Sequence, residues 1–259
     1  MLRQFLFLII ISGTMSANAQ PFYIAHRGAS YLAPENTVAS IQLAWELGSD
    51  GAECDVMLTK DNKIAVFHDQ TGERLLDKNE KISEVAYSEI RNIPIKLRDS
   101  NLKKYEGSTV PQLKELLKTV PEGRLLVIEI KCGKEIIPYL QKDIKKYWKS
   151  GNIAFIAFDY ETIVETKKVF PTAPCYYLSS NVDDLNRRFD EIVRSDLEGV
   201  NLNYKIIDKS LVERFRSAGK DVWCWTVNLP EDAIRMQQSG VRHITTDRPA
   251  WLKKAIEGN

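Results

Sequence analysis

An α/β fold, a closed (β/α)8 barrel with a short hairpin and loop excursion after the second barrel strand, is predicted by three observations. Short apolar runs alternate with helical patterns, which argues for parallel strands joined by helical crossovers. Eight such strands fall within residues 20–259, a length suited to a closed barrel. No glycine-rich dinucleotide loop follows any strand, which disfavours the open doubly wound sheet that alternation alone also permits.

With 44% hydrophobic and 27% charged residues, the chain is close to average for a soluble protein with a sizeable core. Its composition gives no reason to divide residues 20–259, which are read as one domain. Residues 1–19 differ. They carry one positive charge at Arg3, an apolar run over 5–11 and the small-x-small site Ala17-Asn18-Ala19, the three regions of a secretory signal peptide. This implies export, to the periplasm or outside the cell. The run is too short to span a bilayer, and no later stretch reaches the length of a transmembrane helix. Arg3 is the leader's single charged residue, so its removal takes the formal charge from +1 to 0 and argues against nucleic acid as a partner. Four cysteines permit two disulfides. Cys54, Cys132 and Cys224 nevertheless lie in or just after strand-like runs, which points to buried thiols, and spacings without CxxC disfavour zinc.

The elements follow in order. Residues 22–26 are a first buried strand that opens into a loop at HRG. Pro34-Glu35-Asn36-Thr37 introduces a helix through Val38, Ile41, Ala44 and Trp45, with Asn36 available to cap it and Gly48 to end it. Residues 51–57 form the second strand, whose alternation turns Glu53 and Asp55 to one face. A hairpin turn at Asp61-Asn62 leads to a return strand over 64–68. A two-residue loop there pairs Lys60 with Lys63, sets Asp55 opposite His68, and would by itself bring that histidine to the acidic pair. Residues 69–108 are polar and weakly periodic, with one helix near 83–91, and read as an excursion over the mouth. A helix with Pro111 near its first turn follows. Further strands are expected at 124–131, 153–158, 175–178, 199–202, 222–227 and 243–246, with helices around 134–148, 160–169, 182–193, 208–218 and 230–238 between them.

Barrel strands deliver reactive groups at their carboxyl ends. His26 and Arg27 end the first strand, Glu53 and Asp55 the second, Glu129 and Lys131 the third and Trp225 the seventh, while Asp247 follows the eighth. Three converging carboxylates repel one another unless a cation sits among them, and oxygen-only ligands favour Mg²⁺ or Ca²⁺ over zinc. Two histidines beside such an ion can act as general base and general acid. Arg27 and Lys131 supply positive charge for an anionic oxygen, so the parts together suit a phosphate-bearing substrate.

At this point the sequence resembles the glycerophosphodiester phosphodiesterases. The motifs are HRGASYLAPENT at 26–37, ECDVMLTKD at 53–61, VFHD at 66–69, IEIK at 128–131, WTVN at 225–228 and TDRP at 246–249. The resemblance implies a TIM barrel, one divalent ion held by Glu53, Asp55 and Glu129, and acid-base work by His26 and His68. It implies that Arg27 and Lys131 bind phosphate and that Trp225 lines the substrate pocket against the glycerol. The implied reaction is hydrolysis of a glycerophosphodiester, a small-molecule substrate, to sn-glycerol 3-phosphate and an alcohol. Two departures affect loops around the pocket: HDQTGERLLD stands where the family has a run beginning HDxxLxRTT, and Ala157-Phe158-Asp159 stands for Ser-Phe-Asp.

Other readings of the same residues exist. Arg27 and Lys131 can simply neutralise the acids, Trp225 can be core beside Trp223 on the same strand face, and Glu35 and Asn36 can shape the loop or touch ligand. His243 reads as structural. At the level of function, the alternatives are a phospholipase D-like enzyme acting on lysophospholipids, a glycoside hydrolase using Glu53 and Glu129, and a barrel that binds phosphodiesters without turnover.

Overall fold

Strands buried on both faces read as continuous apolar runs, and the described residues form eight of them in parallel. The computed structural model describes residues 21–258; the leader read at 1–19 lies outside the described residues. The barrel strands are β1 (Phe22–Ala25), β2 (Gly51–Leu58), β4 (Leu125–Ile130), β5 (Asn152–Ala157), β6 (Cys175–Ser179), β7 (Gly199–Asn203), β8 (Asp221–Trp225) and β9 (His243–Thr246). They pair in the order β1-β9-β8-β7-β6-β5-β4-β2, and pairing of β1 with β2 closes the ring. The remaining strand, β3 (Ile64–Val66), pairs antiparallel with β2 and lies outside the ring. This is a TIM barrel with a hairpin excursion after its second strand, as expected from the sequence.

Alternate side chains divide between two cores. Ile24, Val127, Ile156, Leu178 and Trp223 fill the interior. Residues one position away, such as Cys54, Ile128 and Phe155, pack outward against the helices. Those helices are α1 (Val38–Glu46), α5 (Ile137–Tyr147), α6 (Tyr160–Val169), α7 (Val182–Arg194), α8 (Lys209–Ser217), α9 (Pro230–Gln238) and α10 (Pro249–Glu257). The last of these covers β1 and was not read from the sequence. All four thiols are free; Cys54, Cys175 and Cys224 are buried and Cys132 is half-buried. His243 stacks on Trp223 with ring centroids 4.3 Å apart, a structural place within the barrel. Among the described residues, no helix is long and apolar enough to cross a membrane.

The excursion is less regular than expected. Short helices α2 (Glu73–Leu76), α3 (Tyr87–Ile90) and α4 (Leu113–Leu116) alternate with 3-10 turns at Ile82–Glu84 and Ser100–Tyr105. The single helix expected near 83–91 is split because the Glu89 carboxylate accepts from the Ala86 N–H at 2.7 Å and starts a new helix after extended Val85. The helix after Pro111 is also short. The Thr119 hydroxyl takes the Leu116 carbonyl at 2.8 Å, and Pro121 follows. Met57, Phe67, Leu76, Ile82 and Ile90 give the excursion its own small core.

The hairpin register differs by one residue from the expected one. Val56 pairs with Val66 and Leu58 with Ile64, so Asp55 stands opposite Phe67, whose N–H donates to the Asp55 carbonyl at 3.0 Å. The cause is a three-residue loop, Lys60 to Asn62, with Asn62 at φ 58°. Thr59 locks it: its hydroxyl donates to Asp61 at 2.7 Å and accepts from the Lys63 N–H at 3.0 Å. His68 therefore reaches the mouth from the chain beyond β3 rather than as the cross-strand partner of Asp55.

Gly28 fixes the loop that leaves β1. Its φ is 77°, its N–H donates to the Glu53 carbonyl at 3.1 Å, and a Cβ there would lie 2.5 Å from the Ser40 backbone carbon. Gly28→Ala thus adds both a left-handed alanine and a backbone clash. The expected cost is about 3 kcal/mol, read as a lower urea midpoint with an unchanged slope.

Candidate active site

Strand alternation brings the acids together. Glu53 and Asp55 share the interior face of β2, and the register of β2 with β4 sets Asp55 beside Glu129. All three are buried, and one carboxylate oxygen from each lies within 4.8 Å of the others. Burial, with Asp55 and Glu129 alongside, pushes the Glu53 carboxyl well above the usual range. Burial and Asp55 likewise raise Glu129 to about 7, against the pull of Lys131. Glu53 Oε1 and Asp55 Oδ1 are buried without a hydrogen-bond partner. Clustered, unsatisfied oxygens of this kind fit a hard divalent cation.

The other oxygens of the pair are committed. Arg27 N–H donates to Glu53 Oε2 at 2.8 Å. Asn36 clamps Asp55 in both directions: its Nδ2 donates to Asp55 Oδ2 at 2.8 Å, and its Oδ1 accepts from the Asp55 N–H at 3.0 Å. Asn36 therefore does not cap α1. Thr37 does, accepting from the Ser40 N–H at 3.1 Å. Arg27 at φ 55° and Asn36 at φ 57° are both left-handed, a costly conformation that recurs where function fixes the backbone.

Two cations flank the acids. Lys131 Nζ lies 2.7 Å from Glu129 Oε1 and 3.8 Å from Asp55 Oδ1. Arg27 sits with Nε 3.3 Å from Asp55 Oδ2 and Nη1 2.8 Å from Glu35 Oε1. Glu35 is held in turn by a two-pronged contact from Arg74, both bonds 2.8 Å.

Each histidine is backed by an aspartate. His26 Nδ1 lies 2.7 Å from Asp247 Oδ1, and His68 Nδ1 lies 2.7 Å from Asp69 Oδ1. A carboxylate at Nδ1 holds the proton there and leaves Nε2 as the exchanging atom. Asn228 Nδ2 donates to Asp247 at 2.6 Å and the Ser30 hydroxyl at 3.3 Å, while Arg74 Nε donates to Asp69 at 2.6 Å. Burial opposes the charge on Asp247, yet the hydrogen bonds from His26, Asn228 and Ser30 hold its carboxyl down to about 2. Burial also pulls His68 below the ordinary histidine value, against Asp55 and Asp69.

These groups open on one cavity of about 270 Å³. His26, Arg27, Glu53, His68, Glu129, Lys131 and Trp225 all line it, and Asp55 lies against it through Arg27 and Lys131. Trp225 meets Phe158 edge to face at 5.6 Å to form an aromatic wall. Sequence reasoning thus chose residues that the fold brings together. It gave no role to Asp69, Asp247, Asn228 or Arg74, although the first three stand in the motifs VFHD, TDRP and WTVN.

Fold and site together define a class: (β/α)8-barrel enzymes with a group of three buried acids that could hold a cation and two aspartate-backed histidines at the carboxyl face. A model of the glycerophosphoryl diester phosphodiesterase family matches residues 26–251, and the chain belongs to that family. It is 32% identical over 234 residues to a glycerophosphodiester phosphodiesterase of Caldanaerobacter subterraneus subsp. tengcongensis, covering 88% of this chain and 95% of the relative. An Oleispira antarctica phosphodiesterase, solved in complex with the product sn-glycerol-3-phosphate, superposes with a TM-score of 0.83 at 27% identity, over 92% of this chain and 98% of that one. A glycerophosphodiester phosphodiesterase of Thermotoga maritima gives a TM-score of 0.74 at 25% identity, over 92% and 99% of the chains.

Because Asp247 titrates lower in the folded chain than its ordinary 3.8, its ionised form contributes stability above that value. That contribution is lost as the pH falls toward about 2. The melting temperature of the protein should therefore exceed that of Asp247→Asn near pH 5, and the gap should narrow between about pH 4 and pH 2.

Proposed function

We propose that the protein hydrolyses glycerophosphodiesters to sn-glycerol 3-phosphate and an alcohol, using one divalent cation, Mg²⁺ or Ca²⁺, held by Glu53, Asp55 and Glu129. One observation carries the reading: two aspartate-backed histidines and a group of three buried acids with unpaired oxygens meet at one cavity. The relatives named for this activity support the substrate class. When bound, the cation supplies positive charge to a phosphoryl oxygen.

The remaining work belongs to the chain. Arg27 and Lys131 hold the anionic diester, Arg27 from a loop fixed by Glu35 and Asn36. One histidine accepts a proton at Nε2 from the attacking hydroxyl or water, and the other delivers a proton from Nε2 to the departing alkoxide. Asp247 and Asp69 keep each ring in the tautomer this needs and favour its protonated form during the step. The phosphorus–oxygen bond to the alcohol breaks as the new one forms, so protons and charge balance over the pair. Trp225 packs against the organic part of the substrate. A glycoside hydrolase built on Glu53 and Glu129 has no use for the paired histidines.

Choline release from glycerophosphocholine tests this. EDTA should abolish it and added Mg²⁺ or Ca²⁺ restore it, while His26→Ala and His68→Ala should each lower kcat by about 10²- to 10⁴-fold. Activity that survives chelation would sink the proposal.

We also propose that residues 1–19 are a cleaved leader and that the enzyme acts in the periplasm or outside the cell, consistent with the order of charge, apolar run and small-residue site. Amino-terminal sequencing of protein from the exported fraction should begin at Gln20; a mature chain that retains Met1 would contradict this.

A further inference from the structure

The barrel interior is chemically divided. In the closed ring, β7 stands four strands from β2 in either direction, so it faces the three acids across the mouth. The acids and Lys131 come from β2 and β4 or the residue just beyond, whereas β5 to β8 send Ile156, Leu178, Asn201 and Trp225 into the cavity. Among these four, Asn201 is the anomaly. It is 1% exposed, in the interior row of β7 between Leu178 and Trp223, and neither its Oδ1 nor its Nδ2 has a hydrogen-bond partner. Buried amides are as a rule satisfied, and one that is not calls for a partner such as a bound water or ligand.

The neighbouring polar group is already used. The Trp225 indole N–H donates to the Asn201 backbone carbonyl at 3.1 Å, which fixes the indole against β7 and leaves its ring as an apolar wall. On this side of the cavity the Asn201 amide is then a buried hydrogen-bonding group without a partner, beside the Thr226 and Thr245 hydroxyls that also line it. It offers two donors and an acceptor and carries no charge, so it matches a neutral group that both accepts and donates. A hydroxyl does this; a phosphate oxygen or a quaternary ammonium does not. In a glycerophosphodiester the phosphate belongs with Arg27 and Lys131, and the groups with this property are the free hydroxyls of the glycerol.

We infer that Asn201 is a specificity-determining residue that hydrogen-bonds a glycerol hydroxyl of the substrate across the cavity from the phosphate-binding cations. The inference rests on the substrate class proposed above and names the group that selects it. A site built to bond a hydroxyl rejects an analogue that lacks it, because its own buried polar atoms are then left unpaired.

The test is calorimetric binding of sn-glycerol 3-phosphate and of n-propyl phosphate, which lacks both hydroxyls, to Mg²⁺- or Ca²⁺-loaded protein. The wild type should bind sn-glycerol 3-phosphate about 30-fold more tightly. Asn201→Leu, close in volume, should reduce that preference to within about 2-fold, by weakening sn-glycerol 3-phosphate binding and relieving the penalty on n-propyl phosphate. Asn201→Ala serves as a second variant should the leucine perturb the fold, and an unshifted melting temperature shows that the barrel is intact. A preference that persists in both variants overturns the inference, as does equal binding of the two ligands, or of neither, by the wild type. Choline release from glycerophosphocholine by the wild type is measured alongside. Its absence with Asn201-dependent binding retained would fail the proposed reaction and keep the subsite.

Discussion

Holding three carboxylates within 4.8 Å of one another inside a barrel is the constraint on which the rest of the site depends. At an effective dielectric constant of about 20, two full charges at that separation repel by roughly 3 kcal/mol, and three such pairs reach on the order of 10. Net stabilities of domains are of the same size. The chain responds in two ways. Glu53 and Glu129 shift toward their protonated forms, and nearly every polar contact around the acids brings a donor to them: the Arg27 amide, the Asn36 amide group and the Lys131 ammonium. Oxygens left over, Glu53 Oε1 and Asp55 Oδ1, are of the kind a hard cation could satisfy.

The excursion after β2 belongs to the same solution. Arg74, on α2, reaches Glu35 from one side and Asp69 from the other, and these residues in turn hold Arg27 and His68. A cation on a segment with its own small core thus orients Arg27 and His68 of the cavity together. This explains how an irregular segment serves a site that requires fixed geometry: its precision comes from a charged junction rather than from long helices.

The barrel and the chemically committed residues were legible in the sequence because each depends on local pattern. Strand runs with both faces apolar, the i, i+2 spacing of Glu53 and Asp55, and the placement of His26, Glu129 and Lys131 at strand ends survive any small error in element bounds. What was missed depends on distant pairing or on turn detail. Asp247, itself held by Asn228, reaches His26 only once β9 closes against β1, and no periodicity announces that contact. Asn36 has the composition of a helix cap, and its clamp on Asp55 comes from a left-handed backbone that propensity does not reveal. The hairpin erred by one residue because Thr59, not Asp61-Asn62 alone, determines the loop.

A one-residue slip would ordinarily exchange the faces of a strand, yet His68 still lines the cavity. The reason is that β3 ends at Val66, and His68 lies beyond the ladder, where its direction is set by Asp69 and Arg74 instead of by the pleat. His26 is likewise the first residue past β1 and is directed by Asp247. The three clustered acids on β2 and β4 are fixed by strand geometry, whereas both histidines are fixed by aspartates at strand exits. That division suits the proposed chemistry: ligands to an ion need an invariant frame, while a histidine that takes up and releases a proton needs a partner that holds its ring in both charge states.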